Sequence, residues 1–592
     1  MALKRRAPAP TATFGGTARL QPDIAADVPR TRLGDLLVTN GWATREAVEN
    51  AIERAPLRRL GETMIADGLL DDVTLARAIG EQAGLAVVDI REHPADPDAT
   101  RMVSQHEAHS LDVFPFGVEN GEVHVAIADP FDPELHALLR KLPVSVVHVS
   151  LGLPSHVRAR VNQTYRALSE VTTDIAAFNE SDTSIENAAQ ETAAAAAASV
   201  ADDAPVIQVV NKILTQALRD RASDVHIEPT DEEVRVRFRI DGALQEVLSL
   251  PVDMGPALVS RIKIMADMNI VERRRPQDGQ LEMNIDGRHL DVRVSTTSTI
   301  WGEKTVMRLL DRTRSLFQLS ELGMSPALNA RYSRIVQSPF GMVIVSGPTG
   351  SGKTTTLYAT LTEINRPDMN VMTIEDPVEY VFPRVNQIQI SEQAGLTFAT
   401  GLKSILRQDP DVILVGEVRD VETARIAVQS ALTGHLVLSS VHAIDSVSAT
   451  YRLLDMGVEA FLVTSAIVGV VAQRLVRRIC VSCAEEYEPS PQHQELYREL
   501  GGAPKQRWMR GAGCTMCGGS GYFDRIGVYE VLTLTDELRE AIIEGRTPRF
   551  TRQLAVDQGL RTLQAEAMDL VAHDMTTIDE ALRHVFVAED TE

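Results

Sequence analysis

The run Gly341-Met-Val-Ile-Val-Ser-Gly347-Pro-Thr-Gly-Ser-Gly-Lys353-Thr-Thr355 decides how the C-terminal half of this chain folds. Its apolar start reads as a buried strand, Thr355 opens a helix, and the loop between them has the spacing G-x-x-x-x-G-K-T. Glycines at those positions let backbone N–H groups curl around phosphate oxygens with no Cβ in the way. The helix N-terminus adds its partial positive charge. The cradle then comprises Gly347, Pro348, Thr349, Gly350, Ser351, Gly352, Lys353, Thr354 and Thr355, with Lys353 reaching the β- and γ-phosphates and Thr354 holding Mg²⁺.

Two strands further on end in acids. Val371 to Ile374 runs into Glu375-Asp376-Pro377, and Asp411 to Val415 runs into Gly416-Glu417. In a parallel α/β sheet the strand C-termini face the ligand crevice, where a carboxylate can orient or deprotonate water or hold the shell of a bound Mg²⁺. Gly416 stands where an aspartate is usual after such a strand, so Glu417 is the acid available. His435 and His442 bracket another strand seven residues apart, which places them on opposite faces and makes metal ligation a poor fit. Their readings are γ-phosphate sensing, subunit bridging or plain packing.

All four cysteines fall in two C-x-x-C pairs, Cys480/Cys483 and Cys514/Cys517. That pattern reads as a tetrahedral structural zinc site with no position left for catalysis. An iron–sulfur cluster or redox pairs are the alternatives. The 30 residues between the pairs imply an inserted subdomain rather than a compact ribbon.

The chain has 592 residues, enough for about four domains of roughly 150 residues. Its net charge of −23 argues against a generally basic nucleic-acid-coating protein, and its 4% aromatic content against stacking platforms for single strands. The longest nearly apolar run, Ala460 to Ala472, is 13 residues, too short for a membrane span, and reads as a buried core helix. The N-terminus has no apolar stretch of the secretory kind. A cytoplasmic protein with no transmembrane segment is expected.

Residues 1–30 read as a disordered tail rich in Ala, Pro and Thr. Arg32-Leu33-Gly34 is echoed 27 residues later by Arg59-Leu60-Gly61, each opening a helix pair, so 31–84 is expected to be one small helical module. Residues 85–166 mix strands and helices. Residues 167–205 read as an acidic, Ala-rich linker: between Ser169 and Pro205 there are eight acids and no Lys, Arg or His. Val234-Arg-Val-Arg-Phe-Arg-Ile240 before Asp241-Gly242 predicts a half-buried strand and hairpin turn within a domain over 206–325. Residues 326–592 form the α/β domain, with the cysteine element at 480–517.

Taken together, these motifs resemble the secretion ATPase superfamily, and the type II secretion and type IV pilus assembly ATPases in particular. The resemblance rests on Ser223 to Pro229, Gly347 to Thr354, Thr373 to Glu379, Gly416 to Asp420, Thr433 to Val437 and Ala472 to Cys480. It implies a RecA-like P-loop domain (326–592) and a PAS-like domain (206–325). It implies a homo-hexamer that hydrolyses ATP with Mg²⁺ and carries structural Zn²⁺. Glu375 falls in the family's Asp box and is the expected base or water-orienting residue. Glu417 falls in its Walker B and is expected to support Mg²⁺ and water, and His435 and His442 fall in its His box. Arginines of the smaller domain reach the phosphates, and Arg293 and Arg308 match best. The repeat resembles a cyclic di-GMP-binding N-domain through Arg32, Gly34, Arg59 and Gly61; docking to an inner-membrane platform protein is its other reading. Binding to the membrane face is expected through such partners. Two further classes stay open: a nucleotide-gated scaffold with little hydrolysis, and a DNA-translocating P-loop ATPase, which the acidity and the missing basic arm disfavour.

Overall fold

The computed structural model describes residues 18–22, 31–54, 60–66, 69–171, 174–175, 178, 205–311, 317–514 and 516–585. The chain divides into two compact units, Met1–Leu309 and Leu310–Glu592.

The first unit begins with helices Leu33–Thr39, Arg45–Arg54, Leu60–Ala66 and Asp72–Ala83, which carry the repeat. Its two glycines do equivalent jobs. A Cβ on Gly34 would lie 2.9 Å from Val48 Cγ1, and one on Gly61 would lie 2.6 Å from Leu75 Cδ1. Each therefore lets the next helix of its own copy approach closely, around a core of Leu37, Val48, Ala51, Met64, Leu70 and Ala78.

A four-stranded sheet follows, built from β1 (Arg19–Gln21), β2 (Val113–Glu119), β3 (Glu122–Ile127) and β4 (Val146–Leu151) in the order β1-β4-β3-β2. It corrects the expected tail: Arg19–Gln21 pairs in parallel with Val146–His148, and Ala18 and Leu20 are buried. Three residues are too few for a periodic signal, and the neighbouring strand supplies the hydrogen bonds that hold them. Residues 1–17 and 23–30 lie outside the described residues. The linker is likewise corrected at its start. Val171 is buried, Ala167 N–H donates to Gln216 Oε1 at 2.8 Å, and Asp174 pairs with Lys212 at 2.9 Å. Residues 179–204 lie outside the described residues.

The second sheet of this unit runs β7-β6-β5-β10-β9-β8. Its strands are β5 (Asp224–Pro229), β6 (Val234–Ile240), β7 (Ala243–Leu250), β8 (Gln277–Ile285), β9 (Arg288–Thr299) and β10 (Gly302–Asp311). The alternation of β6 is realised, with Val234, Val236 and Phe238 buried and the arginines on the other face. Asp241 and Gly242, at φ 48° and 86°, make the tight turn into β7. Helices Pro205–Arg219 and Gly255–Met265 pack on the apolar face.

The second unit is a doubly wound, RecA-like α/β core. Its sheet runs β13-β12-β14-β15-β11-β16-β19, with β11 (Gly341–Ser346), β12 (Val371–Glu375), β13 (Val385–Gln389), β14 (Val412–Val415), β15 (Leu436–Val441), β16 (Ile467–Ile479) and β19 (Tyr522–Leu532). All neighbours pair in parallel except β16 with β19. Alternate residues of β11 feed the two cores: Met342 and Ile344 pack on one face, Val343 and Val345 on the other. The run Ala460 to Ala472 is corrected: helix Ala460–Ala466 stops and β16 begins at Ile467. A short apolar run does not distinguish helix from buried strand, but the β-branched cluster from Ile467 marks the change. Among the described residues, no helix is long and apolar enough to cross a membrane. The cysteine insertion holds a two-stranded sheet, β17 (Ala484–Tyr487) with β18 (Trp508–Gly511), and helix Pro491–Glu499.

Candidate functional site

β11 delivers the glycine loop to the N-terminus of helix Lys353–Ile364. Gly352 is left-handed, at φ 87°, which is the conformation that favours glycine at this position. A Cβ on Gly347 would meet Gln473 O at 2.6 Å and Ser351 Oγ at 2.5 Å, so the loop needs glycine for close approach as well. Lys353 Nζ donates to Gly347 O at 2.9 Å and Pro348 O at 3.0 Å, folding the ammonium over the loop. Burial pushes that ammonium below its usual pKa, and the charge of Glu417 opposes the shift. Ser351 is buried and its Oγ has no hydrogen-bond partner. A bound phosphate is the ligand such a donor fits. Thr354 is the first hydroxyl after the lysine, in the first turn of that helix.

The two carboxylates are held differently. Glu417 follows β14 with 17% of its side chain exposed, in an ion pair with Arg419 and 3.5 Å from His442 Nε2. The Glu417 bond raises the pKa of Arg419, which also lies 3.7 Å from Asp376. Glu375, at the end of β12, is only 4% exposed. Its Oε2 accepts from Tyr358 Oη, and its Oε1 accepts from Thr373 Oγ1 at 2.6 Å and Gln387 Nε2 at 3.2 Å. Both oxygens are thus engaged internally, whereas the sequence places Glu375 as the base or water-orienting residue.

His442 reaches this cluster, but His435 does not. The two sit at opposite ends of β15, whose six residues at about 3.3 Å each separate them by roughly 20 Å. His435 Nδ1–H instead donates to Ser430 O at 2.9 Å, closing the turn after helix Val421–Leu432. Within one chain this bond matches the packing reading of His435. Arg293 and Arg308 belong to the first unit. Arg293 faces Gln280 across the β8–β9 register. Arg308, with 58% of its side chain exposed, donates from Nε to Asp224 Oδ1 at 3.1 Å.

The cysteines do converge. Cys480 follows β16, Cys514 and Cys517 precede β19, and all four Sγ atoms lie within 4.8 Å of one another. The separations Cys480–Cys514 and Cys514–Cys517 are 3.8 Å, and Cys483–Cys517 is 3.9 Å. A tetrahedron of Zn–S bonds of about 2.3 Å has edges of about 3.8 Å. Cys517 Sγ also accepts backbone N–H groups from Cys514 at 3.1 Å and Gly521 at 3.2 Å, donors suited to a thiolate. Zinc fits these residues.

Of the repeat residues, Arg32 stands at the N-cap position of helix Leu33–Thr39 with no side-chain bond to it and is exposed, Gly34 and Gly61 are packing glycines, and Arg59 lies outside the described residues. Three site residues escaped sequence reasoning, namely Arg419, Tyr358 and Gln473. Arg419 and Gln473 lie inside recognised motifs, Gly416 to Asp420 and Ala472 to Cys480, but their partners come from other strands or helices and leave no local signal.

The family model described as type II/IV secretion system protein matches residues 199–583, and an MshEN domain model matches 83–171. The MshEN match thus begins where the helical repeat ends, C-terminal to Arg32, Gly34 and Gly61. The chain is 37% identical to a type IV pilus assembly ATPase PilB of Thermus thermophilus, over 93% of this chain and 66% of that protein. It is 36% identical to a type IV pilus assembly ATPase PilB of Myxococcus xanthus, over 93% and 98%. It is 39% identical to a type II secretion system protein E of Xanthomonas campestris pv. campestris, over 88% and 92%.

Proposed function

The chain belongs to the type II/IV secretion system protein family, and from that premise we propose an ATPase that drives assembly of a type IV pilus or a type II secretion pseudopilus. The observation that carries the catalytic half is the glycine loop itself, with Lys353 Nζ folded over it and the buried Ser351 Oγ left without a partner. Lys353 leaves the loop carbonyls to hold the β- and γ-phosphates, and Thr354 holds Mg²⁺. The bound ion neutralises phosphate charge. Glu417, steadied by Arg419 and His442, orients the attacking water. Glu375 supports it as the second carboxylate from the Tyr358 bond. Arg293 and Arg308 complete the phosphate site in a homo-hexameric ring, where charge neutralisation by such arginines is worth about 10³–10⁵ in rate.

The cysteines hold structural zinc. The N-terminal modules are the regulatory part. Cyclic di-GMP is the proposed ligand, and an inner-membrane platform protein the proposed partner, with the motor on the cytoplasmic side. A phosphate-release assay on a ring-forming preparation tests the activity. Lys353→Ala should abolish turnover, and wild-type-like release by that variant would sink the assignment. Nucleotide binding by the wild type without release would favour the scaffold reading, to which the engaged state of Glu375 lends support.

A further inference from the structure

Gln473 is a buried side chain in the middle of β16, 1% exposed, on a strand with no part in the glycine motif. Its amide is engaged at both ends. Nε2 donates to Ser351 O at 2.8 Å, and Oε1 accepts from Thr356 Oγ1 at 2.8 Å. The orientation is unambiguous, because Ser351 O is a carbonyl and only accepts. Its main chain also bounds the loop, with Gln473 O lying 2.6 Å from where a Cβ on Gly347 would sit.

A trans peptide unit points its C=O and the following N–H in opposite directions. Tying Ser351 O back to Gln473 therefore turns the N–H of Gly352 away from β16. We propose that Gln473 is a positioning residue of the nucleotide site: by holding the Ser351–Gly352 peptide it aims the Gly352 N–H at the phosphates, and through Thr356 it sets the first turn of the helix behind them. This rests on the nucleotide-binding reading given above. It assigns Gln473 no contact with the nucleotide, since the side chain acts only through the loop.

The length of the side chain and its paired donor and acceptor both matter. Leucine fills the volume but offers neither group, taking the donor from Ser351 O and the acceptor from Thr356 Oγ1. Glutamate keeps the shape and can serve both partners only when protonated, its O–H donating to Ser351 O and its C=O accepting from Thr356. When ionised it sets a carboxylate oxygen against the Ser351 carbonyl.

The test measures binding of a fluorescent ADP analogue to full-length wild type, Gln473→Leu and Gln473→Glu between pH 5 and 9, with thermal melts alongside. Gln473→Leu should bind about tenfold more weakly, because the Ser351–Gly352 peptide loses the donor that holds it. For Gln473→Glu, the affinity relative to wild type should recover as pH falls, because protonation restores the amide-like donor. A merely structural role would shift the melts without this pH-dependent rescue. Binding by both variants equal to wild type at every pH, or an equal deficit at every pH for Gln473→Glu, would overturn the proposal. Failure of the wild type itself to bind would overturn the nucleotide reading instead.

Discussion

Tyr358 Oη donates to Glu375 Oε2 and accepts from Glu379 N–H at 3.2 Å, so one phenol on the helix behind the glycine loop clasps the acidic turn after β12. Burial, reinforced by the charge of Glu375, pushes the phenol well above its usual pKa, so it serves as a proton donor throughout the physiological range. The phenol therefore ties the helix behind the glycine loop to the acidic strand end. Tyr358→Phe removes only the hydroxyl. It should lower kcat on the order of tenfold or more through misplacement of Glu375, with affinity for ADP held within a few-fold. Steady-state turnover set beside a binding titration checks this, and unchanged kcat would mean that the clasp has no catalytic consequence.

Glu417 follows β14 with Arg419 and His442 beside it, so Glu417→Gln should retain nucleotide and lose turnover by about 10²–10⁴-fold. His442→Ala, removing a neighbour 3.5 Å from Glu417, should cost far less. Single-turnover phosphate release separates the two. A larger loss at His442 than at Glu417 would reverse their assigned roles.

The cysteine cluster should carry one zinc per chain, measurable by metal analysis of purified protein. Cys483→Ser should lose that metal and lower the unfolding temperature of the ATPase unit on the order of 10 °C, because the site ties the end of β16 to the start of β19. Gly511→Ala should act in the same direction, since a Cβ there would lie 1.9 Å from Gly521 O. Zinc loss with an unchanged melt would show that the metal does not brace the fold.

Glu580 anchors helix Ile578–Val585 to β16. Its carboxylate accepts from Arg477 Nη2 at 2.6 Å and lies 3.1 Å from His584 Nε2. Burial alone would raise its pKa, but these bonds overcome it and hold the group at about 2, against an ordinary 4.5. A depressed pKa contributes stability that is fully present above 4.5 and is lost as pH falls towards 2. Glu580→Gln should therefore melt several degrees below wild type at pH 7, by a few kcal/mol for a broken buried pair, and the gap should close as pH drops through that window. Melts of both proteins across the range check it, and a gap that widens in acid would contradict the assignment.

Local pattern carries its information over one element, and its reach explains which features were legible. The glycine loop, the alternation of Val234 to Ile240 and the two cysteine pairs each depend on spacing within a single strand, turn or knuckle. Each takes the conformation its residues prescribe. The strand Arg19–Gln21 and the switch from helix to strand at Ile467 depend on a neighbour to supply hydrogen bonds or a buried face, so the local pattern is silent or ambiguous there.

By sequence alone, the chain determined its α/β class, its phosphate loop, the order of its acidic strands and its four-sulfur centre, because close local spacing constrains backbone conformation directly. Tertiary structure decided the rest. It set Glu417 beside Arg419 and His442 and closed Glu375 against Tyr358. It left His435 at the far end of β15, and it brought Gln473 from a distant strand to the loop carbonyl of Ser351. The physical reason is that a hydrogen bond between residues 122 positions apart exists only once the parallel sheet has set β16 beside β11.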